Sequence, residues 1–220
     1  MIMEKEELQA IASQLKRPQG EKGIAMANNM HETNISMTLS SIRNLAISQD
    51  DKILEIGHGS AMHLDYIMQQ STDLKYYGLE MSELMYTEAQ KINKQFVDNK
   101  KAEFVLYDGN TIPFPDAYFN KIFTVNTLYF WQEPVKFLLE IYRVLDTKGI
   151  FSLTFAQESF MKKLPFTEFE FNLYDTQKAE KLISQTPFRI IDSETLTEKI
   201  KSKTGDLVDR EFTTLVLQKE

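Results

Sequence analysis

The sequence predicts an α/β fold, a three-layer αβα sandwich around a mostly parallel sheet of seven strands. Three observations lead there. Short apolar runs alternate with helix-length amphipathic segments from residue 52 to residue 156, and strands alternating with helices give a parallel sheet covered on both faces. The first run breaks into Gly57-His58-Gly59 and then re-enters a helical stretch, the opening of a nucleotide-binding βα unit. Two strand-like runs with a short connection close the chain, which fits an antiparallel hairpin at the sheet edge.

The elements follow in order. Residues 4–16 have helical spacing, with Leu8, Ile11 and Leu15 on one side, and Arg17-Pro18-Gln19-Gly20 breaks the helix. A second helix is expected over 34–47, with Ile35, Leu39, Ile42 and Leu45 as its stripe. The polar segment Met26 to Asn34 between them has two readings: a loop with helix-capping Asn and Thr, or a lid over a ligand site. Residues 1–48 thus form an N-terminal helical cap.

The core, 49–156, opens with a strand at 52–56 and a helix at 60–70. A strand at 75–79 and a helix from Ser82 to about Val97 come next, then a strand from Ala102 to Tyr107. After a loop with Pro113 and Pro115, a strand runs from Lys121 to Val125. Pro134 suits the first turn of a helix that ends near Leu145, and Gly149 to Ala156 is the fifth strand. Residues 157–220 read as a substrate-side insert and closing hairpin. They hold an aromatic-rich stretch, Phe160 to Leu173, a helix at about 174–186, and strands at Phe188–Leu196 and Phe212–Gln218. Charged, helix-like Thr197 to Ser202 and a turn at Gly205 separate the last two. No repeat, low-complexity tract or linker divides the chain, so a single domain is expected.

Bulk properties narrow the function. The 220 residues carry a formal net charge of −7 and no cysteine. Disulfides, thiolate metal sites and cysteine nucleophiles are excluded, and no metal site is expected. The acidic balance argues against a dedicated nucleic-acid partner. The start, Met1 to Glu7, lacks the basic and apolar regions of a secretory signal, and no run reaches the ~18 apolar residues of a membrane span. A cytoplasmic protein is expected; monomer and homodimer both stay open.

Four signals mark a site. The glycine turn lets a ligand approach the backbone, although a tight βα connection needs glycine too. Glu80 ends the second strand and can accept two ribose hydroxyls or cap the next helix; Met81 beside it can lie on a purine ring or fill core. Asp108-Gly109 ends the third strand, where a carboxylate can take an amino proton; Asp-Gly is also a common turn pair. Asn126 and Thr127 end the fourth strand and lead into Tyr129 and Trp131, either walls of a pocket or packing under the next helix.

At these residues the sequence resembles the class I, Rossmann-like, seven-strand S-adenosylmethionine-dependent methyltransferases, closest in character to the ubiquinone/menaquinone-type small-molecule enzymes. Ile53 to Ser60 resembles the family's first motif, and Glu80 its acidic residue after the second strand. Asp108-Gly109 with Ile112-Pro113-Phe114 and Asp116 resembles the segment before the fourth strand, and Leu139 to Leu145 the helix before the fifth. The likeness covers roughly 50 to 156. Ala61 stands at the usual third glycine, His58 replaces a small or apolar residue, and Asp146-Thr147-Lys148-Gly149 replaces a proline-glycine turn.

The resemblance implies S-adenosyl-L-methionine as cofactor and S-adenosyl-L-homocysteine as product. Glu55 and the backbone of Gly57 to Gly59 would hold the methionine part, with His58 and Ser60 beside it. Glu80 would take the ribose, Met81 and Asp108-Gly109 would frame the adenine, and Asn126 would line the sulfonium end. A small-molecule acceptor would meet Asn34, Tyr129 and Trp131. Of the three histidines, His31 in the presumed lid is the best base. His58 suits a binding role, and His63, on the first helix, is expected to be packed or solvated. Three rivals remain: a cofactor-binding scaffold without turnover, a nicotinamide-dependent oxidoreductase, whose fingerprint wants a third glycine where Met62 stands, and a nucleic-acid methyltransferase, against which the acidity and the lack of a basic tract count.

Overall fold

Lys52–Ile56 (β1), Lys75–Glu80 (β2), Ala102–Leu106 (β3), Phe119–Val125 (β4), Leu145–Ala156 (β5), Arg189–Lys201 (β6) and Leu207–Gln218 (β7) form one sheet in the order β3-β2-β1-β4-β5-β7-β6. The structure, a computed structural model, describes residues 4–201 and 207–220. β1 to β5 pair in parallel, and β7 pairs antiparallel with β5 and β6. The strand order reverses between β1 and β4. In such open sheets the crevice beyond the carboxyl ends of the strands at this switch point receives ligands.

Period-two alternation sorts β1 between the two faces. Leu54 and Ile56 join a core cluster with Phe137, Leu138 and Ile141 of Pro134–Val144. Ile53 joins a second cluster with Leu64 and Ile67 of Leu64–Met68, and Ala89 of Glu83–Ile92. Both clusters are fully buried around these residues. Each such aliphatic or aromatic side chain contributes about 1.5–3 kcal/mol by leaving water. Helices therefore cover both faces: Lys5–Lys16 (α1), Gly20–Arg43 (α2), Leu64–Met68 (α3), Glu83–Ile92 (α4), Lys94–Asp98 (α5), Pro134–Val144 (α6), Glu158–Met161 (α7) and Thr176–Ile183 (α8). No helix among the described residues is long and apolar enough to cross a membrane.

Three expectations about elements are corrected. The segment Met26 to Asn34 is not a loop; α2 runs through it without a break. Tertiary contacts outweigh the weak helix propensity of Asn and Thr there. Gly23 lets α2 approach closely, since a Cβ on it would stand 2.7 Å from Leu84 Cδ2 and 3.0 Å from the Pro18 carbonyl carbon. Thr33 bonds back to Asn29 O at 2.8 Å. The buried stripe of α2 also differs from the apolar one. Met37, Ser40, Ser41 and Ile42 are buried, while Ile35 and Leu39 are half-buried. Ser41 Oγ meets Ser152 Oγ at 2.8 Å and Ser40 Oγ meets Thr214 Oγ1 at 3.3 Å, so hydroxyl pairs satisfy each other under the helix.

The third correction concerns the hairpin. Thr197 to Lys201 is not helical but continues β6, paired in register with Leu207 to Glu211. Pairing along β7 extends the ladder past the charged residues. Ser202 and the expected turn at Gly205 lie outside the described residues.

Candidate functional site

Beyond the carboxyl ends of β1 and β4 the chain takes left-handed backbone at Gly57 (φ 76°), Gly59 (φ 55°), Ala61 (φ 49°) and Asn126 (φ 58°), with Gly109 (φ 83°) after β3. Such backbone favours glycine and costs energy at alanine and asparagine. These turns border one cavity of about 320 Å³. Its wall includes Glu55, Gly57, His58, Gly59, Ser60, Glu80, Met81, Asp108, Gly109 and Asn126, together with His31, Asn34 and Trp131. The remaining sequence-selected residue, Tyr129, borders a second cavity of about 460 Å³. The two share Leu15, Met30, Asn34, Asn126 and Phe130 as a common wall.

Glu80 is buried at the floor of the first cavity. Its carboxylate accepts Gly59 N–H at 3.0 Å, Met81 N–H at 2.8 Å and Ser82 N–H at 3.0 Å. Burial raises its pKa, opposed by these amides. One side chain therefore ties the glycine turn to the start of α4, and both sequence readings of Glu80 describe contacts it can make together. Gly57 is required where it stands, because a Cβ would lie 2.5 Å from Thr127 Cγ2. Gly59 faces open space. A Cβ on Gly109 would overlap Met81 Sδ, so Met81 lies across the Asp108-Gly109 turn. Asp108 is exposed; its Oδ1 accepts Asn110 and Thr111 N–H, both at 2.8 Å, which holds its carboxyl below the ordinary range.

Glu55 lies on the α3 side of β1. Its Oε2 accepts from His63 Nε2 at 2.8 Å and from Tyr76 OH at 2.5 Å. Burial pushes its pKa up, but the His63 charge and the two hydrogen bonds hold it below the usual carboxylate value. His63 does not lie on the first helix as expected; it is the residue before Leu64–Met68, buried, and it borders the cavity with its ring 6.4 Å from that of His31. Burial, then the neighbouring His63, lowers the His31 pKa. His31 stands on α2, the helix that replaces the expected loop.

His58 and Trp131 are both buried on the cavity wall. The His58 ring packs against Gly78 and edge-on to Phe104 at 4.9 Å, and neither nitrogen finds a hydrogen-bond partner among the described residues. Burial pushes its pKa down to about 4. Tyr129 and Trp131 are not exposed; they are 1% and 5% accessible and belong to the core that carries α6. Core packing and pocket wall are thus the same residues. Tyr129 OH donates toward Asn126 Oδ1 and Ala156 O, both at 3.0 Å, so it fixes the Asn126 side chain. Trp131 Nε1–H is buried with no partner among the described residues.

Sequence reasoning missed Arg210 and Glu198. On paired strands of the terminal hairpin, Arg210 bonds Glu198 Oε1 through Nε at 3.0 Å and Nη2 at 2.6 Å, Asn34 Oδ1 through Nη1 at 2.8 Å and Thr33 O through Nη2 at 2.5 Å. Ser36 Oγ donates to Glu198 Oε2. This strap joins α2 to the hairpin and positions Asn34. No local signal marks it, because its members lie far apart in the chain.

Comparisons with known proteins find a related domain and a shared fold. Residues 54–153 match the family described as a methyltransferase domain. An uncharacterised methyltransferase of Bacillus subtilis (strain 168), YdaC, is 26% identical over 125 residues, 57% of this chain and 67% of that protein. The chain thus spans about two thirds of that relative. Among solved structures, a chain of a complex containing the Haloferax volcanii Trm112 methyltransferase activator superposes with a TM-score of 0.72 at 14% identity, covering 87% of this chain and 92% of that one. An S-adenosylmethionine-dependent methyltransferase from Aquifex aeolicus gives 0.64 at 19% identity, covering 95% and 97%. At these identities the structural likenesses speak for the fold.

Proposed function

We propose that this chain is a class I Rossmann-like methyltransferase, a reading its matched segment and fold support, and that it binds S-adenosylmethionine in the cavity beyond β1 to β4 and methylates a small-molecule acceptor. One observation carries the reading: Glu55, residues 57–60, 80–81 and 108–109, and Asn126, from four separate segments, meet on a single cavity wall.

The residues fit the cofactor. Glu80 accepts three amides and keeps one of a carboxylate's four acceptor positions for a ribose hydroxyl. The open space above Gly59 admits a ligand against the backbone. Asp108 holds its own turn through Oδ1, which leaves Oδ2 for an exocyclic amino group. The orphaned Trp131 Nε1–H on the wall suits a ligand acceptor atom. When bound, S-adenosylmethionine supplies a sulfonium-activated methyl group whose S–C bond breaks as an acceptor lone pair forms the new bond, leaving the neutral sulfide S-adenosylhomocysteine.

The chain's residues align and exclude water. Asn126, clamped by Tyr129 OH and by Ala156 N–H at 3.1 Å, keeps a fixed edge at the boundary between the cavities. His31, its pKa lowered, is neutral at pH 7 and can take a proton from the acceptor on its free ring nitrogen. Behind it, Glu55 Oε2 holds His63 Nε2 at 2.8 Å and so fixes the orientation of that ring.

Calorimetric titration with S-adenosylmethionine, with NADH in parallel, tests the reading. One-to-one binding of the first and none of the second is expected; the reverse overturns it. In a screen that yields a methylated product, His31→Ala should lower kcat by about a hundredfold with cofactor affinity unchanged. An unchanged kcat would remove His31 from the mechanism.

A further inference from the structure

We infer that the second cavity is the acceptor chamber and that it selects a neutral, largely apolar molecule; this rests on the methyltransferase reading above. The chamber adjoins the first cavity across Asn34, Asn126 and Phe130, so an occupant reaches the boundary where the methyl group is offered. Its volume, about 460 Å³, falls among cavities that enclose a small organic ligand. Ile11 from α1, Met161, Leu164 and Phe171 from the segment after β5, and Val208 from the hairpin supply an apolar wall.

Charge decides the class. Only two charged residues border this chamber among the described residues, Lys163 and Arg210. Lys163 is exposed. Arg210, 4% accessible, spends its charge on Glu198 and its other bonds on Thr33 and Asn34. No unpaired buried charge remains to compensate an ionised ligand, and an uncompensated charge in such a site is costly. The first cavity, by contrast, carries Glu55, Glu80, Asp108 and three histidines. An acceptor held through a carboxylate, phosphate or ammonium group therefore does not match this chamber; an uncharged ring system with one methyl-accepting atom directed at Asn126 does.

The test uses N-phenylnaphthylamine, a neutral dye that brightens in apolar sites, and its sulfonated analogue, anilinonaphthalene sulfonate. The full chain should bind the neutral dye one-to-one, and the sulfonate at least about tenfold more weakly. Leu164→Asp places a carboxylate on the half-buried wall and should weaken the neutral dye by about tenfold or more. Ile11→Trp, which fills the chamber from α1, should do the same; if Leu164→Asp fails to fold, Ile11→Trp is read alone. Equal or tighter binding of the sulfonate, no binding of the neutral dye, or binding indifferent to both substitutions overturns the inference. Titration of the same samples with S-adenosylmethionine separates the two readings. Cofactor binding without dye binding sinks the chamber alone; dye binding without cofactor binding sinks the methyltransferase reading and with it the acceptor role.

Discussion

The two adjoining cavities are made from opposite kinds of sequence. The first is walled by residues at or just past a strand end: Gly57 after β1, Glu80 and Met81 at the end of β2, Asp108 after β3 and Asn126 after β4. The second brings α1 and α2 together with the segment after β5 and the terminal hairpin, which lie far from them in the chain. The first concentrates ionisable groups; the second is nearly free of them. A parallel sheet brings strand ends together whatever covers them, so cofactor chemistry can be local. The second wall depends on how the cap and insert dock, and under the proposed function this leaves specificity to the irregular segments.

This contrast can be broken. The strap from Arg210 belongs to the second cavity. Arg210→Ala should lower unfolding stability by roughly 3–4 kcal/mol, since Glu198 is left largely buried and unpaired. Denaturant titration measures the loss. The neutral dye should dissociate more readily while S-adenosylmethionine affinity changes little. A loss confined to the cofactor would reverse the division proposed for the cavities.

Acid sensitivity should belong to the first cavity. His58 takes a proton at about 4 in the folded chain and near 6.5 when unfolded. Between these values the unfolded state binds more protons, so stability is full above pH 6.5 and falls as pH drops toward 4. The loss attributable to this group approaches about 3 kcal/mol. Comparing the pH dependence of unfolding for wild type and His58→Leu isolates it; equal slopes would show that His58 does not resist protonation.

A smaller effect sharpens the first cavity itself. Glu80→Ala leaves the amides of Gly59, Met81 and Ser82 without their acceptor and should weaken S-adenosylmethionine by about a hundredfold. Calorimetry reads the affinity. The neutral dye should bind this variant as it binds wild type, and undiminished cofactor affinity would remove Glu80 from the ribose contact.

Legibility divides along the same line. The strand ends and the residues beside them could be read because Gly57, Glu80, Asp108 and Asn126 follow apolar runs at once, and apolar period and glycine turns are local signals. Met26 to Asn34 could not, because the close approach of Gly23 to Leu84 and the Arg210 contact to Asn34 outweigh what Asn and Thr prefer locally. Thr197 to Lys201 failed for a related reason: ladder pairing with β7 outweighs a charged, helix-like composition.

The sequence by itself determined the α/β order, the parallel core, the closing hairpin and the cluster of residues at the strand ends. Each rests on periodicity or on a backbone conformation that few residues accept. Tertiary structure alone decided that His63 is paired with Glu55, that Tyr129 serves Asn126 rather than solvent, and that an apolar chamber lies beside the polar one. Those facts depend on side chains from distant segments meeting, and the balance of burial against desolvation that governs such meetings is set only when the whole sheet and its helices close together.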